Sequence, residues 1–158
     1  MIRIRPYKDS DRAALIGLMI ECETFHQTPV PTKADLDRSL SGLPPGVEFI
    51  VADDNGPLAG FISFSTLYPA TNAHSQFFLQ ELFVSESYRK KNIGKKLMSA
   101  LVDLAIDRGC ARIEWITARK NQIAQNFYES IGAKIAPKLV YRFEGDDLVV
   151  AAKKLGAF

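Results

Sequence analysis

The stretch that most restricts this chain runs from residue 76 to 117. QFFLQELFV (76–84) reads as a strand, the residues from Asn92 or Ile93 to Arg108 as a long helix, and RIEWIT (112–117) as a second strand. The helix is expected because Ile93, Leu97, Leu101, Leu104 and Ala105 recur on one face, with Gly109 as its stop. Strand, helix and strand in such close succession imply a parallel crossover, so at least one strand pair of the fold runs parallel.

The remaining strands point to antiparallel pairing. EFIVAD (48–53) and PLAGFISFSTL (57–67) flank Asp54, Asn55 and Gly56, a turn signal that suggests a hairpin. At the start, Ile2 and Ile4 alternate with Arg3 and Arg5 as in a half-buried strand that Pro6 ends. Asp9 or Ser10 is then placed to cap a helix with the apolar face Leu15, Leu18, Met19 and Cys22. A short helix is expected over 32–40, before the breaker SGLPPG (41–46). Asn121 suits the cap of a helix through Ser130, ended by Gly132; a last strand over 140–143 and a short helical or irregular tail over 147–155 follow. The expected fold is α/β (α+β): one domain over 1–158, with a mixed, mostly antiparallel sheet flanked by about four helices.

Composition narrows the function. The chain has 158 residues, 47% of them apolar, and 20 Lys and Arg oppose 18 Asp and Glu. That near-balance leaves no whole-molecule field to hold a nucleic acid or an anionic membrane, so neither is expected as a partner. Cys22 and Cys110 are too few and too far apart for a disulfide framework, and no apolar run is long enough to span a bilayer. The expectation is a soluble, cytoplasmic chain with reduced thiols, in which any anion site is local.

One such site stands out. YRKKNIGKK (88–96) carries five positive charges where the strand over 76–84 passes into the long helix. A helix start presents unpaired backbone N–H groups, Asn92 and Gly94 tolerate close approach or positive φ, and Arg89, Lys90, Lys91 and Lys95 add charge. Basic residues at a helix N-terminus oppose the helix dipole unless an anion sits there, which favours a phosphate cradle over a solvated turn. The spacing is neither that of a nucleotide P-loop nor a full dinucleotide fingerprint.

These residues resemble the GNAT N-acetyltransferase superfamily. Arg89 to Gly94 is similar to its Arg/Gln-x-x-Gly-x-Gly/Ala acyl-CoA signature, with Asn92 where the first glycine usually stands and with Ile93 between. Asn121-Gln122-Ile123-Ala124-Gln125-Asn126-Phe127-Tyr128, followed by Gly132-Ala133, resembles the second signature, Asn-x-x-Ala-x-x-Phe-Tyr. The opening IRIRPYKDSD and the hairpin with Gly60 also match, so the likeness covers nearly the whole chain. Within the superfamily the look is closest to the diamine and polyamine acetyltransferases, although their two adjacent acidic residues are here Gln80 and Glu81.

The resemblance implies a reaction. An acetyl group would pass from acetyl-CoA to a primary amine of a small molecule (a diamine, polyamine or amino-acid-like compound) by direct attack in a ternary complex. It also implies that main chain of Leu82, Phe83 and Val84 pairs with the pantetheine arm, that residues 89–95 hold the phosphates, and that Asn121 and Ala124 belong to the cofactor site. Freeing an alkylamine of pKa near 10.4 at pH 7 costs about 4.6 kcal/mol, so a base or water chain is needed, and Glu81 matches the family position. Tyr128 matches the tyrosine beside the cofactor sulfur. Full proton transfer from a phenol to a thiolate is uphill by about 2 kcal/mol, so hydrogen bonding to sulfur is its safer role. Glu21, Glu23 and Phe25, at the end of the first helix, fall where the family places part of its acceptor pocket, and Gln80 and Glu81 are further expected substrate-binding residues.

Other readings stay open. Peptide N-termini and aminoglycosides are alternative acceptors, a non-catalytic acyl-CoA-binding module is an alternative class, and a homodimer is compatible with the sequence. Cys22 and His26 lie four apart, as metal ligands do, but they make only two ligands on a helix expected to end at Phe25, so no metal is expected.

Overall fold

A computed structural model of the chain describes residues 1–156. The chain divides into two compact units, Met1–Arg119 and the residues from Lys120 onward. The first unit holds β1 (Arg3–Pro6), α1 (Arg12–His26), α2 (Lys33–Ser41), β2 (Val47–Asp53), β3 (Leu58–Leu67), β4 (Gln76–Val84), α3 (Ile93–Asp107) and β5 (Ile113–Glu114). The second holds α4 (Gln122–Ser130) and α5 (Asp146–Lys154).

The five strands form one sheet in the order β1-β2-β3-β4-β5, antiparallel throughout except for the parallel pair β4–β5. The mixed, mostly antiparallel sheet is therefore as expected, and α3 is the crossover. Gly109 stops α3 in the left-handed conformation (φ 65°), with the Cys110 and Gly109 amides donating to the carbonyls of Ala105 and Ile106. Among the described residues there are five α-helices rather than four, because the tail over 146–154 is fully helical.

Both faces of the sheet are covered, which explains why β2, β3 and β4 read as nearly continuous apolar runs. On one face Leu15, Leu18 and Cys22 of α1 and Leu36 and Leu40 of α2 pack with Phe49, Val51, Phe61 and Phe83. Ile50, Ile62 and Phe64 alternate with these and serve the other face, where α3 buries Ile93, Leu97, Met98 and Leu101. Each such side chain stabilises the fold by about 1.5–3 kcal/mol.

The start of α1 differs from expectation. Residues 9–11 form a 3-10 turn, and neither Asp9 nor Ser10 caps the helix. Asp11 instead accepts two hydrogen bonds from the Arg5 guanidinium, at 2.7 and 2.8 Å, and Arg3 and Arg5 both donate to the buried Asp53. Burying a charge is costly unless it is paired, and this chain of ion pairs ties β1 to β2 and to α1. The Gly56 amide and Arg5 hold the Asp53 carboxyl down at about 2.

Two strand expectations fail in part or whole. β5 is two residues long rather than spanning 112–117, and residues 140–143 form no strand. A strand exists only as one side of a ladder, and Val140, Tyr141 and Phe143 are exposed with no strand paired to them among the described residues. Cys22 and Cys110 are both free thiols, and no helix among the described residues is long and apolar enough to cross a membrane.

Candidate active site

The placement of Glu81 is decided by a bulge. Ser63 of β3 pairs with Glu81 of β4, but Phe64 pairs with Leu79, so Gln80 is an extra residue on β4. Before the bulge, Phe77 packs tilted against Phe64, ring centroids 4.8 Å apart, and lies under Arg108 at the end of α3. Without it, Glu81 would share that face. With it, Glu81 joins Phe83 on the α1 face, and Gln80 is left exposed at the bulge.

There Glu81 meets two residues of α1. Its Oε1 lies 3.7 Å from Nε2 of His26, and its carboxylate contacts the Cys22 thiol. Burial, with the nearby Glu23 adding like charge, holds Glu81 above the usual carboxylate range against the pull of His26 and the Leu82 amide. A carboxylate raised in this way, still about one-third exposed, is a stronger proton acceptor than an ordinary glutamate and is reachable from solvent.

Beyond Glu81, β4 offers a backbone edge. β5 pairs only with Phe77 and Phe78, so residues 82–84 have a strand partner on the β3 side alone among the described residues. Unpaired edge groups are what an extended amide-bearing ligand uses to add itself to a sheet. β3 and β4 approach closely here: a Cβ on Gly60 would sit 2.6 Å from the Phe83 carbonyl oxygen.

The basic loop follows. Lys90 and Asn92 have left-handed backbone (φ 61° and 59°), and Asn92 is the N-cap of α3 without capping through its side chain. The Asn92 carbonyl accepts from Lys96, so the amides of Ile93, Gly94 and Lys95 precede the first intrahelical donor. The first turn contains no acidic residue. Such a terminus, flanked by Lys90, Lys91 and Lys95, has the donors and charge to bind a pyrophosphate. Arg89 is turned elsewhere: its Nε donates to the Val84 carbonyl at 3.2 Å, and its guanidinium stacks over Phe25 at 4.3 Å. Lys91 donates to the Ser87 carbonyl.

The other acceptor-side residues are engaged locally. Glu21 accepts from the Glu86 amide at 2.9 Å and so ties α1 to the loop, and Glu23 accepts from the Thr28 hydroxyl. Phe25 is half exposed, edge-on to His26 and tilted against Phe83. Reasoning from sequence missed His26 as the partner of Glu81, because it ended the helix one residue early; α1 includes His26 and closes at Gln27 in the left-handed conformation.

In the second unit Asn121 caps α4 as expected, its side chain accepting from the Ala124 amide at 3.1 Å. Tyr128 lies on α4 with its ring 5.4 Å from that of Phe127, and its carbonyl accepts from Ala133.

Comparison with known proteins identifies the family. The family model described as Acetyltransferase (GNAT) family matches residues 7–133. An L-ornithine N5-acetyltransferase of Arabidopsis thaliana is 38% identical over 92 residues, which are 58% of this chain and 40% of that protein, so the two share only part of their length. A thialysine N-epsilon-acetyltransferase of Mus musculus is 26% identical over 91% of this chain and 93% of its own. An integron cassette protein from the mobile metagenome of V. cholerae has a solved structure that superposes with a TM-score of 0.88 at 34% identity, covering 96% of this chain and 98% of that one. With a family match over most of its length and the sheet, bulge and loop described above, the chain belongs to the GNAT acetyltransferase family.

Proposed function

We propose that the whole chain works as a single acetyl-CoA-dependent N-acetyltransferase domain acting on a primary amine of a small molecule, of the diamine or amino-acid type. The observation that carries this reading is Glu81, turned by the Gln80 bulge onto the α1 face and held above the usual carboxylate range, next to residues 82–84, whose strand partner is on the β3 side alone among the described residues. The family match runs through both units, which supports one domain. The relatives named for ornithine and thialysine acetylation support an amine on a flexible side arm of an amino acid.

The residues present fit acetyl-CoA. In this reading the main chain of 82–84 receives the pantetheine amides, and the amides of 93–95 with Lys90, Lys91 and Lys95 hold the pyrophosphate. Arg89 would either leave Phe25 to join them or stay as a wall of the acceptor side. Glu81 takes the proton of the ammonium, directly or through water, and so gives a local route for a deprotonation that costs a free alkylamine about 4.6 kcal/mol at pH 7. The neutral amine then attacks the thioester carbonyl in a ternary complex. Tyr128 hydrogen-bonds the departing sulfur, and Asn121 and Ala124 complete the cofactor site.

A thiol-release screen over diamines, polyamines, amino acids with side-chain amines, aminoglycosides and short peptides tests this. Turnover is expected with a diamine or a dibasic amino acid. Preference for peptides would transfer the reading to N-terminal acetylation, and tight acetyl-CoA binding with no thiol released from any amine would make the chain a non-catalytic acyl-CoA-binding module.

A further inference from the structure

We infer that Cys22, His26 and Glu81 form a site for a divalent cation of the zinc type, which competes with the amine for the carboxylate that the proposed reaction needs. The sulfur, ring nitrogen and carboxylate oxygen all lie within 4.8 Å of one another. His26 Nε2 and Glu81 Oε1, 3.7 Å apart, are already near the separation of about 3.5 Å that adjacent ligands take around zinc with bonds of about 2.0–2.3 Å.

The donor set selects the ion. One thiolate, one imidazole and one carboxylate are a borderline-soft combination that suits zinc and discriminates against magnesium and calcium, which prefer oxygen alone. Zinc would replace the Cys22 proton, which leaves to water, so the sulfur–hydrogen bond is exchanged for a sulfur–metal bond without any redox step. Cys22 is buried, and burial together with Glu81 and Glu23 holds its thiol well above the ordinary range. The same crowding of negative charge, with Glu21 also near, favours a dication at this point. His26 and Glu81 are each about one-third exposed, so the ion has an entry side and a fourth position open to water. The sequence contains two of the ligands at helical spacing; the third comes from β4, delivered by the bulge.

The competition rests on Glu81 being the base of the proposed reaction, whereas the site itself does not. Full-length protein, freed of metal by a chelator and kept reduced, is titrated with Zn2+ by calorimetry and with Co2+ by absorbance. The expected result is one Zn2+ per chain and, with Co2+, a thiolate charge-transfer band with d–d bands of tetrahedral strength. Loss even of outer-shell partners weakens metal sites about 10- to 100-fold, so Cys22→Ser and the more exposed His26→Gln should each weaken binding by more than about tenfold, and Cys22→Ser should abolish the charge-transfer band. Unchanged binding in both variants, a spectrum without the thiolate band, or no stoichiometric binding overturns the site. Zn2+ inhibition that rising amine concentration relieves supports the competition; intact Co2+ spectra without such inhibition would sink the competition and the assignment of Glu81 as base, while leaving the site in place.

Discussion

Gly60 should be the residue of β3 least able to accept a side chain, and the structure says by how much. A Cβ there would meet the Phe83 carbonyl oxygen at 2.6 Å and the Val84 Cα at 3.2 Å, both backbone atoms that no rotamer change can move. Reaching ordinary contact requires β4 to withdraw by about 0.8 Å, and overpacking of this kind costs about 1–3 kcal/mol. For a domain of this size that lowers Tm by about 3–10 °C. The shift falls on residues 82–84, the edge proposed to receive the pantetheine, so acetyl-CoA should also bind less well. Loss of one such hydrogen bond, about 0.5–1.5 kcal/mol, corresponds to about a 2- to 10-fold rise in Kd. Gly60→Ala is therefore compared with Gly17→Ala, at an exposed position in mid-α1 where an added Cβ meets no described atom within 4 Å. Removing a helical glycine there should stabilise by about 0.5–1 kcal/mol. Thermal unfolding followed by circular dichroism and acetyl-CoA calorimetry read both effects. A Gly60→Ala protein with unchanged Tm and Kd would refute the close approach of β3 to β4 as the constraint.

Substitutions at three further positions separate the roles assigned above. Glu81→Gln should lower kcat/KM by about 10²- to 10⁴-fold and remove the acid limb of its pH profile, a limb expected above the ordinary glutamate range; a limb that survives would clear Glu81 of the base role. Because the folded protein holds this carboxyl above its unfolded pKa, ionised Glu81 costs stability as pH rises through the folded value, so Glu81→Gln should raise Tm at neutral pH and not below about pH 4. Tyr128→Phe should slow turnover far more than it weakens acetyl-CoA binding, with equal losses in thiol release and calorimetry counting against contact with the sulfur. Asn92→Gly should bind acetyl-CoA at least as tightly as the parent, whereas Asn92→Ala should lose about 1 kcal/mol of stability to left-handed strain, measured by urea unfolding; a marked loss of binding in the glycine variant would give the asparagine side chain a role of its own.

What the sequence disclosed of this site follows from the range over which each feature is determined. The left-handed Asn92, the cap at Asn121 and the stop at Gly109 depend on residues within one turn, and residue type alone announces them. The expected bounds of β4 are also those observed, yet which way Glu81 faces was not legible. QFFLQELFV is apolar at both odd and even positions, so an extra residue leaves no break in its pattern, and only the pairing with β3 reveals that Gln80 is that residue. The strand expected over 140–143 erred for the same reason in reverse: an apolar pattern was present and a ladder partner was not. The bulge also accounts for the electrostatics. On the α1 face Glu81 is enclosed by Cys22, His26 and the apolar surroundings of Phe83, and that enclosure raises its pKa. The inserted residue that aims the carboxylate is thus also what prepares it to accept a proton, so deleting Gln80 should undo both together, with Glu81 turned toward the α3 face.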